Sequence, residues 1–321
     1  MNLQKCSGEN KPLIVIVGPT AVGKSALAIY LAKLFETEII SSDSMQIYRG
    51  MDIGTAKPSR EEMEMILHHM ISIIEPDTKF SVGEYVTRAR PIIDSLHDRG
   101  RIPVVAGGTG LYVRALVDGL CDAPRADWIL RDRLLSAEEA FGKGYLYRRL
   151  SEVDPVAATR IEPNDTVRIT RALEVYESGG VPISEIQKTH GFKERQYNAV
   201  MIGLTMDRKS LYKKIEGRVD RMVEKGLESE VRKLMDINIE SIPIMHGLGY
   251  KQFAGYIKGM YSFEDAVTLL KRDTKRYAKR QLTWFRRDER IKWYTVQDDM
   301  SHMGEIAEDI KRQIAKIKDT N

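Results

Sequence analysis

Residues 13–25 read LIVIVGPTAVGKS. The first five are aliphatic, mostly β-branched and bounded by Pro12 and Gly18, the pattern of a short strand buried on both faces of a parallel sheet. Residues 18–25 fit G-x-x-x-x-G-K-[ST]. The following SALAIYLAKLF repeats its apolar positions at helical spacing, with Leu27, Tyr30, Leu31 and Leu34 expected on one side. Strand, glycine loop and helix in that order give an anion site. The glycines turn successive N–H groups toward one anion, the helix start adds partial positive charge, Lys24 is a mobile cation and the Ser25 hydroxyl suits Mg²⁺. Gly18, Pro19, Thr20, Ala21, Val22, Gly23, Lys24 and Ser25 therefore read as a phosphate or diphosphate site.

Outward from this loop, EIISS (residues 38–42) and RIPVVA (101–106) read as further strands, with a helix at about 82–99 between them. The alternation predicts an α/β fold with a P-loop-containing parallel sheet core, right-handed crossovers and ligands beyond the carboxyl ends of the strands. From residue 121 the character changes to charged amphipathic helices such as ADWILRDRLLSAEEAF and DTVRITRALEVYESG, read as a helical insertion. NAVMIGLT (198–205) is again a buried strand, and the C-terminal third, opening with RKSLYKKIEGRVDRMVEKGLESEVRKLM, is helical. The expected organisation is a first core segment over residues 1–120, an insertion over 121–198, and core completion with basic helices over 199–321.

The 321 residues leave ample chain for a core, and 42% hydrophobic with 30% charged residues describes a globular chain rather than a disordered one. Cys6 and Cys121 are too few for a disulfide framework and show no metal spacing. The first twelve residues lack an apolar secretory segment, and no run approaches a membrane span, so a cytoplasmic protein is expected without membrane association. The net charge of +4 is uneven: residues 271–290 hold nine Lys/Arg against three acids, net +6, whereas the other 41 cations and 43 acids carry −2. Lys271, Arg272, Lys275, Arg276, Lys279 and Arg280 form one broad helical stripe, with Tyr277 and Trp284 on another side, which points to a polyanion such as nucleic acid.

Two loops accompany the phosphate loop. Asp43 directly follows EIISS and sits at the same sheet edge, where a carboxylate ligates Mg²⁺ through water or accepts a proton. Ser44, Met45 and Gln46 follow, the last with an amide able to pair with a base edge. Gly107-Gly108-Thr109-Gly110 after the third strand permits close backbone approach, and it brings no carboxylate where an ATP-hydrolysing protein would carry one. ATP, the default ligand of such a loop, therefore fits poorly. Lys57 reads equally as a phosphate contact or a solvated lysine, and the adjacent His68 and His69 read as structural.

GPTAVGKS, DSMQIYRGMDIGTAKP, HHMISIIEP, GGTGLYVRAL, GRVDRMVEKGL, HGLGYKQ and KRQLTWFR occur in this order. Together they resemble the bacterial tRNA dimethylallyltransferases, or tRNA isopentenyltransferases, over about residues 13–290. The resemblance implies transfer of a dimethylallyl group from dimethylallyl diphosphate to N6 of adenosine 37, beside the anticodon, by a cytoplasmic monomer. It implies that Asp43 accepts the N6 proton, that Thr20, Lys24, Ser25 with Mg²⁺, and Arg218 hold the diphosphate, and that Ser44, Met45, Gln46 and Thr109 surround the target base. It assigns tRNA contacts to Arg131, to Val167, Arg168, Ile169, Thr170 and Arg171, to His246, Gly247, Leu248, Gly249, Tyr250 and Lys251, and to Lys279, Arg280, Gln281, Leu282, Thr283, Trp284, Phe285 and Arg286. Among these, Val167 is expected to pack inward, while Arg168 and Arg171 share a helix face. The insertion is expected to grip the anticodon stem. An adenylate isopentenyltransferase, an ATP-dependent small-molecule kinase and a non-catalytic RNA-binding module are the competing readings.

Overall fold

The structure, a computed structural model, describes residues 11–190, 197–236, 245, 247–297 and 301–319. Its strands are β1 (Pro12–Val17), β2 (Ile39–Ser41), β3 (His68–His69), β4 (Val104–Ala106), β5 (Asn198–Thr205) and β6 (Lys292–Thr295). The helices are α1 (Lys24–Leu34), α2 (Arg60–Met65), α3 (Val82–Asp98), α4 (Gly110–Asp118), α5 (Trp128–Phe141), α6 (Tyr145–Val153), α7 (Pro155–Ala158), α8 (Thr166–Gly179), α9 (Ile183–His190), α10 (Arg208–Glu224), α11 (Leu227–Asp236), α12 (Tyr250–Ile257), α13 (Phe263–Phe285) and α14 (Met303–Asp319). Two compact units result, one of Met1–Thr78, Val86–Val117 and Tyr197–Asn321, the other of Lys79–Tyr85 and Asp118–Gln196. The second unit draws in Lys79–Tyr85, a stretch outside the insertion expected from sequence.

The first unit is an α/β layer around one sheet of order β3-β2-β4-β1-β5-β6, every neighbouring pair parallel. β1 is central, and Leu13 to Val17 are wholly buried, as an uninterrupted aliphatic strand requires. Its chain continues to β2, two places away, and later passes to β5 on the other side, so the direction of winding reverses beside β1. The four strands legible in the sequence are β1, β2, β4 and β5. β3 and β6 gave no signal, because one has two residues and the other, KWYT, is a half-exposed edge.

Ile14, Ile16, Val104, Ile202 and Leu204 of the sheet pack with α1 and with Ile306, Ile310 and Ile314 of α14. The buried face of α1 is Leu27, Ala28, Leu31 and Ala32, whereas Tyr30 and Leu34 are exposed. The expected stripe is rotated, because two alanines let the helix lie close against the sheet. RKSLYKKIEGRVDRMVEKGLESEVRKLM is two helices, separated where Gly226 adopts a left-handed φ of 90°.

The second unit is helical. Leu130 and Leu134 of α5, Leu146 and Leu150 of α6, Ala157 and Ala158 of α7, and Ile169, Ala172 and Leu173 of α8 form its core. Asp127, Asp154 and Asp165 cap α5, α7 and α8 through Leu130 N, Ala157 N and Arg168 N. No helix among the described residues is long and apolar enough to cross a membrane.

Candidate active site

The phosphate loop leaves β1, the Gly107–Gly110 loop leaves β4 and Asp43 follows β2, so three adjacent strands deliver three loops to one sheet edge beside the reversal in winding. Together with α10, α13 and the start of α12 these loops enclose a cavity of about 370 Å³, within the range of small-molecule sites. Thr20, Lys24, Ser25, Asp43, Ser44, Met45, Gln46, Arg218, Gly247, Leu248, Tyr250, Arg280 and Gln281 line it. Sequence reasoning missed Val219, Met222, Leu270, Thr274 and Tyr277, which form much of the remaining wall. Leu270, Thr274, Tyr277 and Gln281 recur at helical spacing on α13, a stripe overshadowed in the sequence by the cations between them.

The phosphate loop is shaped by two glycines. Gly18 has φ 145°, and a Cβ there would stand 2.5 Å from Leu204 O; Gly23 caps α1 with φ 105°. Val22 is core, and its side chain does not reach the cavity. Lys24 Nζ donates to Gly18 O at 3.0 Å and Pro19 O at 2.8 Å, folding back on its own loop. Burial, and then the Arg218 guanidinium, lower its pKa to about 7, against a raising influence from Asp43. Burial likewise lowers Arg218, with Asp43 opposing. Two cations thus share a confined space with one carboxylate. Ser25 and Arg218 also line an adjoining cleft of about 760 Å³ with Lys213, Lys214 and Arg221.

Asp43 Oδ1 accepts from Met45 N at 2.9 Å, which fixes the carboxylate in an Asx turn. Ser44 N donates to the Thr109 hydroxyl at 3.0 Å, and the Thr109 hydroxyl donates to Ser44 Oγ at 3.2 Å. Thr109 therefore braces the Asp43 segment and is not part of the cavity wall. Gln46 is oriented from both ends: Oε1 accepts from Ser41 Oγ at 3.0 Å, and Nε2 faces the Thr55 and Ala56 carbonyls at 3.4 Å. Glycines 107, 108 and 110 are required by contact, since Cβ atoms there would stand 2.3 Å from Ser42 O, 2.1 Å from Gln281 Nε2 and 2.1 Å from Trp284 Nε1.

The loop carrying Thr55 and Ala56 is held by Glu230 of α11, which accepts from Asp52 N, Ile53 N and Gly54 N at 2.8, 2.8 and 3.0 Å and from the Tyr250 hydroxyl at 2.7 Å. The Tyr250 ring packs against Gly54, where a Cβ would be 2.7 Å from it. Lys57 has a buried side chain bonded to Tyr48 O, Asp52 Oδ1 and Ser72 Oγ. It is a loop anchor, neither solvated nor available to a phosphate. His69 pairs with Glu38 at 2.6 Å and His68 with Ile66 O at 2.7 Å, both on the edge strand β3.

The basic stripe divides. Lys271 pairs with Asp220 and Lys275 with Glu216, acids that α10 supplies from 50 residues away or more, while Arg272 and Arg276 share Asp273. Lys279, Thr283, Trp284 and Arg286 are exposed; Arg280 is exposed too and stands 5.7 Å from the Tyr277 ring. Gln281 and Phe285 are buried and Leu282 is half-buried, so these three do not present free side chains. Gly249 caps α12 and Lys251 is exposed, whereas His246 lies outside the described residues.

In the helical unit Arg131 donates twice to Glu174 and stacks 4.5 Å from Trp128, and Arg171 bonds Glu174 and Pro124 O. Glu174 is fully buried, and these bonds, with one from Asp127 N, hold its carboxyl below the usual range against the opposing effect of burial. Ile169 and Thr170 are buried, Arg168 is exposed and Val167 is 80% exposed, opposite to the inward packing expected of it. Asp165 caps the helix in a register that turns positions 167 and 168 outward.

Mg²⁺ suits this donor set. It takes few protein ligands, hard oxygens and the oxygens of a bound phosphate, which matches the Ser25 hydroxyl and Asp43 carboxylate lining one cavity. No group of three or more His, Cys, Asp or Glu that would hold a metal occurs among the described residues.

Fold and site define a phosphate-loop α/β protein in which one carboxylate, Asp43, shares a cavity with Lys24 of the loop and Arg218 of α10. The family model described as IPP transferase matches residues 46–288, and one described as isopentenyl transferase matches residues 11–72. The chain belongs to the IPP transferase family. It is 52% identical over 283 residues to a tRNA dimethylallyltransferase of Symbiobacterium thermophilum, covering 88% of each chain. Among solved structures it is similar to the full-length tRNA isopentenylpyrophosphate transferase of Bacillus halodurans, with 42% identity, TM-score 0.72 and coverage of 97% of this chain and 99% of that one. It is also similar to a eukaryotic dimethylallyltransferase acting on tRNA, at 29% identity, TM-score 0.77 and coverage of 91% and 75%.

Proposed function

We propose that this chain transfers the dimethylallyl group of dimethylallyl diphosphate to N6 of adenosine 37 in the tRNA anticodon loop. The observation that carries this reading is one cavity lined by Asp43, Lys24 and Arg218, which interact electrostatically, together with apolar Met45, Val219, Met222 and Leu270. That arrangement suits an adenine amine, a diphosphate and a short hydrocarbon side by side. The family membership and the printed names of the relatives support it.

The adenine N6 lone pair is delocalised into the ring, so the amine is a weak nucleophile. In the reaction N6 forms a bond to C1 of the allyl group, the C1–O bond breaks, and the electron pair leaves with diphosphate. Asp43, fixed by the Met45 N–H, takes the N6 proton, an effect worth about 10²- to 10⁴-fold. Loop amides, Lys24 and Arg218 stabilise charge on the departing diphosphate. Thr20, in the cavity wall, contacts the diphosphate. Ser25 and the diphosphate oxygens would hold Mg²⁺, which when bound further neutralises the leaving group. Ser44, Met45 and Gln46 surround the base, and Thr109 keeps that segment in place.

Exposed Lys279, Arg280, Thr283, Trp284, Arg286, Lys251, Val167 and Arg168 supply contacts to the RNA. Arg131 and Arg171 take part only by leaving Glu174. A monomer acting in the cytoplasm completes the reading. Incubation with dimethylallyl diphosphate and unmodified tRNA, followed by mass spectrometry of the nucleosides, gives N6-dimethylallyl adenosine at position 37. ATP turnover without that product refutes the proposal and favours the kinase reading. Product on free nucleotide but not on tRNA favours the adenylate isopentenyltransferase.

A further inference from the structure

Gln281 lies within KRQLTWFR, the segment whose resemblance assigns it to tRNA contact, yet its side chain points into the protein. It is 6% exposed. Its Oε1 accepts from Thr20 N of the phosphate loop at 2.8 Å, and its Nε2 donates to Gly108 O of the loop after β4 at 3.0 Å. Gly108 does not adopt a left-handed φ; what a side chain there would meet is Gln281, whose Nε2 would stand 2.1 Å from a Cβ. Thus two loops that leave different strands are tied together by one amide on a third element.

We infer that Gln281 is a positioning residue for the diphosphate site and not a tRNA contact. The first half of the phosphate loop is held from two sides. Lys24 draws the Gly18 and Pro19 carbonyls inward, and Gln281 fixes the next N–H, that of Thr20, against α13. A phosphate loop binds because its N–H groups are already aimed when the anion arrives, so loosening one end lowers diphosphate affinity without touching RNA-facing groups. The inference rests on the diphosphate reading of the cavity.

The test uses inorganic diphosphate with Mg²⁺ as the probe in titration calorimetry, alongside tRNA binding measured as a function of salt. Gln281→Met keeps the volume and removes both polar ends. It should weaken diphosphate binding and raise KM for dimethylallyl diphosphate roughly tenfold, the scale of one buried donor left unpaired, with tRNA affinity within twofold of the unmodified protein and an unchanged salt slope. Gly108→Ala pushes the amide away and should reproduce this signature in a chain that keeps Gln281. In the Gln281→Ala background Gly108→Ala should add almost nothing, a non-additivity that global destabilisation would not give. Lost tRNA affinity with intact diphosphate binding overturns the inference, as do two additive substitutions or an unchanged diphosphate affinity in Gln281→Met. Failure of the unmodified protein to bind diphosphate refutes the proposed function itself.

Discussion

Replacing Glu230 by alanine tests how the cavity is held open. The Glu230 carboxylate receives three consecutive backbone N–H groups and the Tyr250 hydroxyl. Asp52 N is exposed and returns to water at little cost. Ile53 N and Gly54 N are partly buried, and each loses about 1 kcal/mol; the phenol of Tyr250, which is 0% exposed, loses about 1–3 kcal/mol when left unpaired. The expected loss is therefore about 3–5 kcal/mol, a fall of about 1–2.5 M in the urea midpoint at a slope of about 2–3 kcal/mol/M. Tryptophan fluorescence in a Trp128→Phe background reports only Trp284 and Trp293, both in the α/β unit, and so isolates that unit. Adding Tyr250→Phe removes the orphaned hydroxyl, so the double substitution should cost less than the sum of the two single ones. A loss below 1 kcal/mol, or strict additivity, refutes the view that Glu230 is the anchor of the 52–56 loop.

Asp43→Ala should abolish prenylation while leaving tRNA affinity within a few-fold, checked by single-turnover assay and filter binding. Lys279→Ala should weaken tRNA binding and lower the salt slope by about one, whereas Lys271→Ala, already paired with Asp220, should change the slope far less. Diphosphate binding should take up a proton: Lys24 has a pKa of about 7 in the free protein, lowered chiefly by burial, and the anion restores its ordinary high value. The group is thus charged in both states below pH 7, so affinity is flat there and falls by up to tenfold per pH unit above it, read as proton uptake in calorimetry with two buffers of different ionisation enthalpy. At pH 8, absence of proton uptake counts against this.

Much of the core was legible because its signals are local. LIVIV, bounded by Pro12 and Gly18, reads as a covered strand, GPTAVGKS reads as the loop between strand and helix, and the four strongest strands are contiguous runs. The two edge strands were silent because pairing with a neighbour, and not composition, makes KWYT and His68–His69 extended. Asp43 and the phosphate loop were readable as neighbours because both follow parallel strands, which places them at one sheet edge.

Sequence alone determined the fold class, the family, and the position of the glycine loop and of Asp43 at one sheet edge. It could not determine which cations are free, because Glu216 and Asp220 reach Lys275 and Lys271 only through the packing of α10 on α13. Nor could it show that Lys57 anchors a loop, that Val167 faces solvent while Ile169 and Thr170 are core, or that Gln281 turns inward. Those outcomes depend on where side chains distant in the chain meet. Helix rotation and long-range pairing decide that, and neither is written in any local stretch of residues.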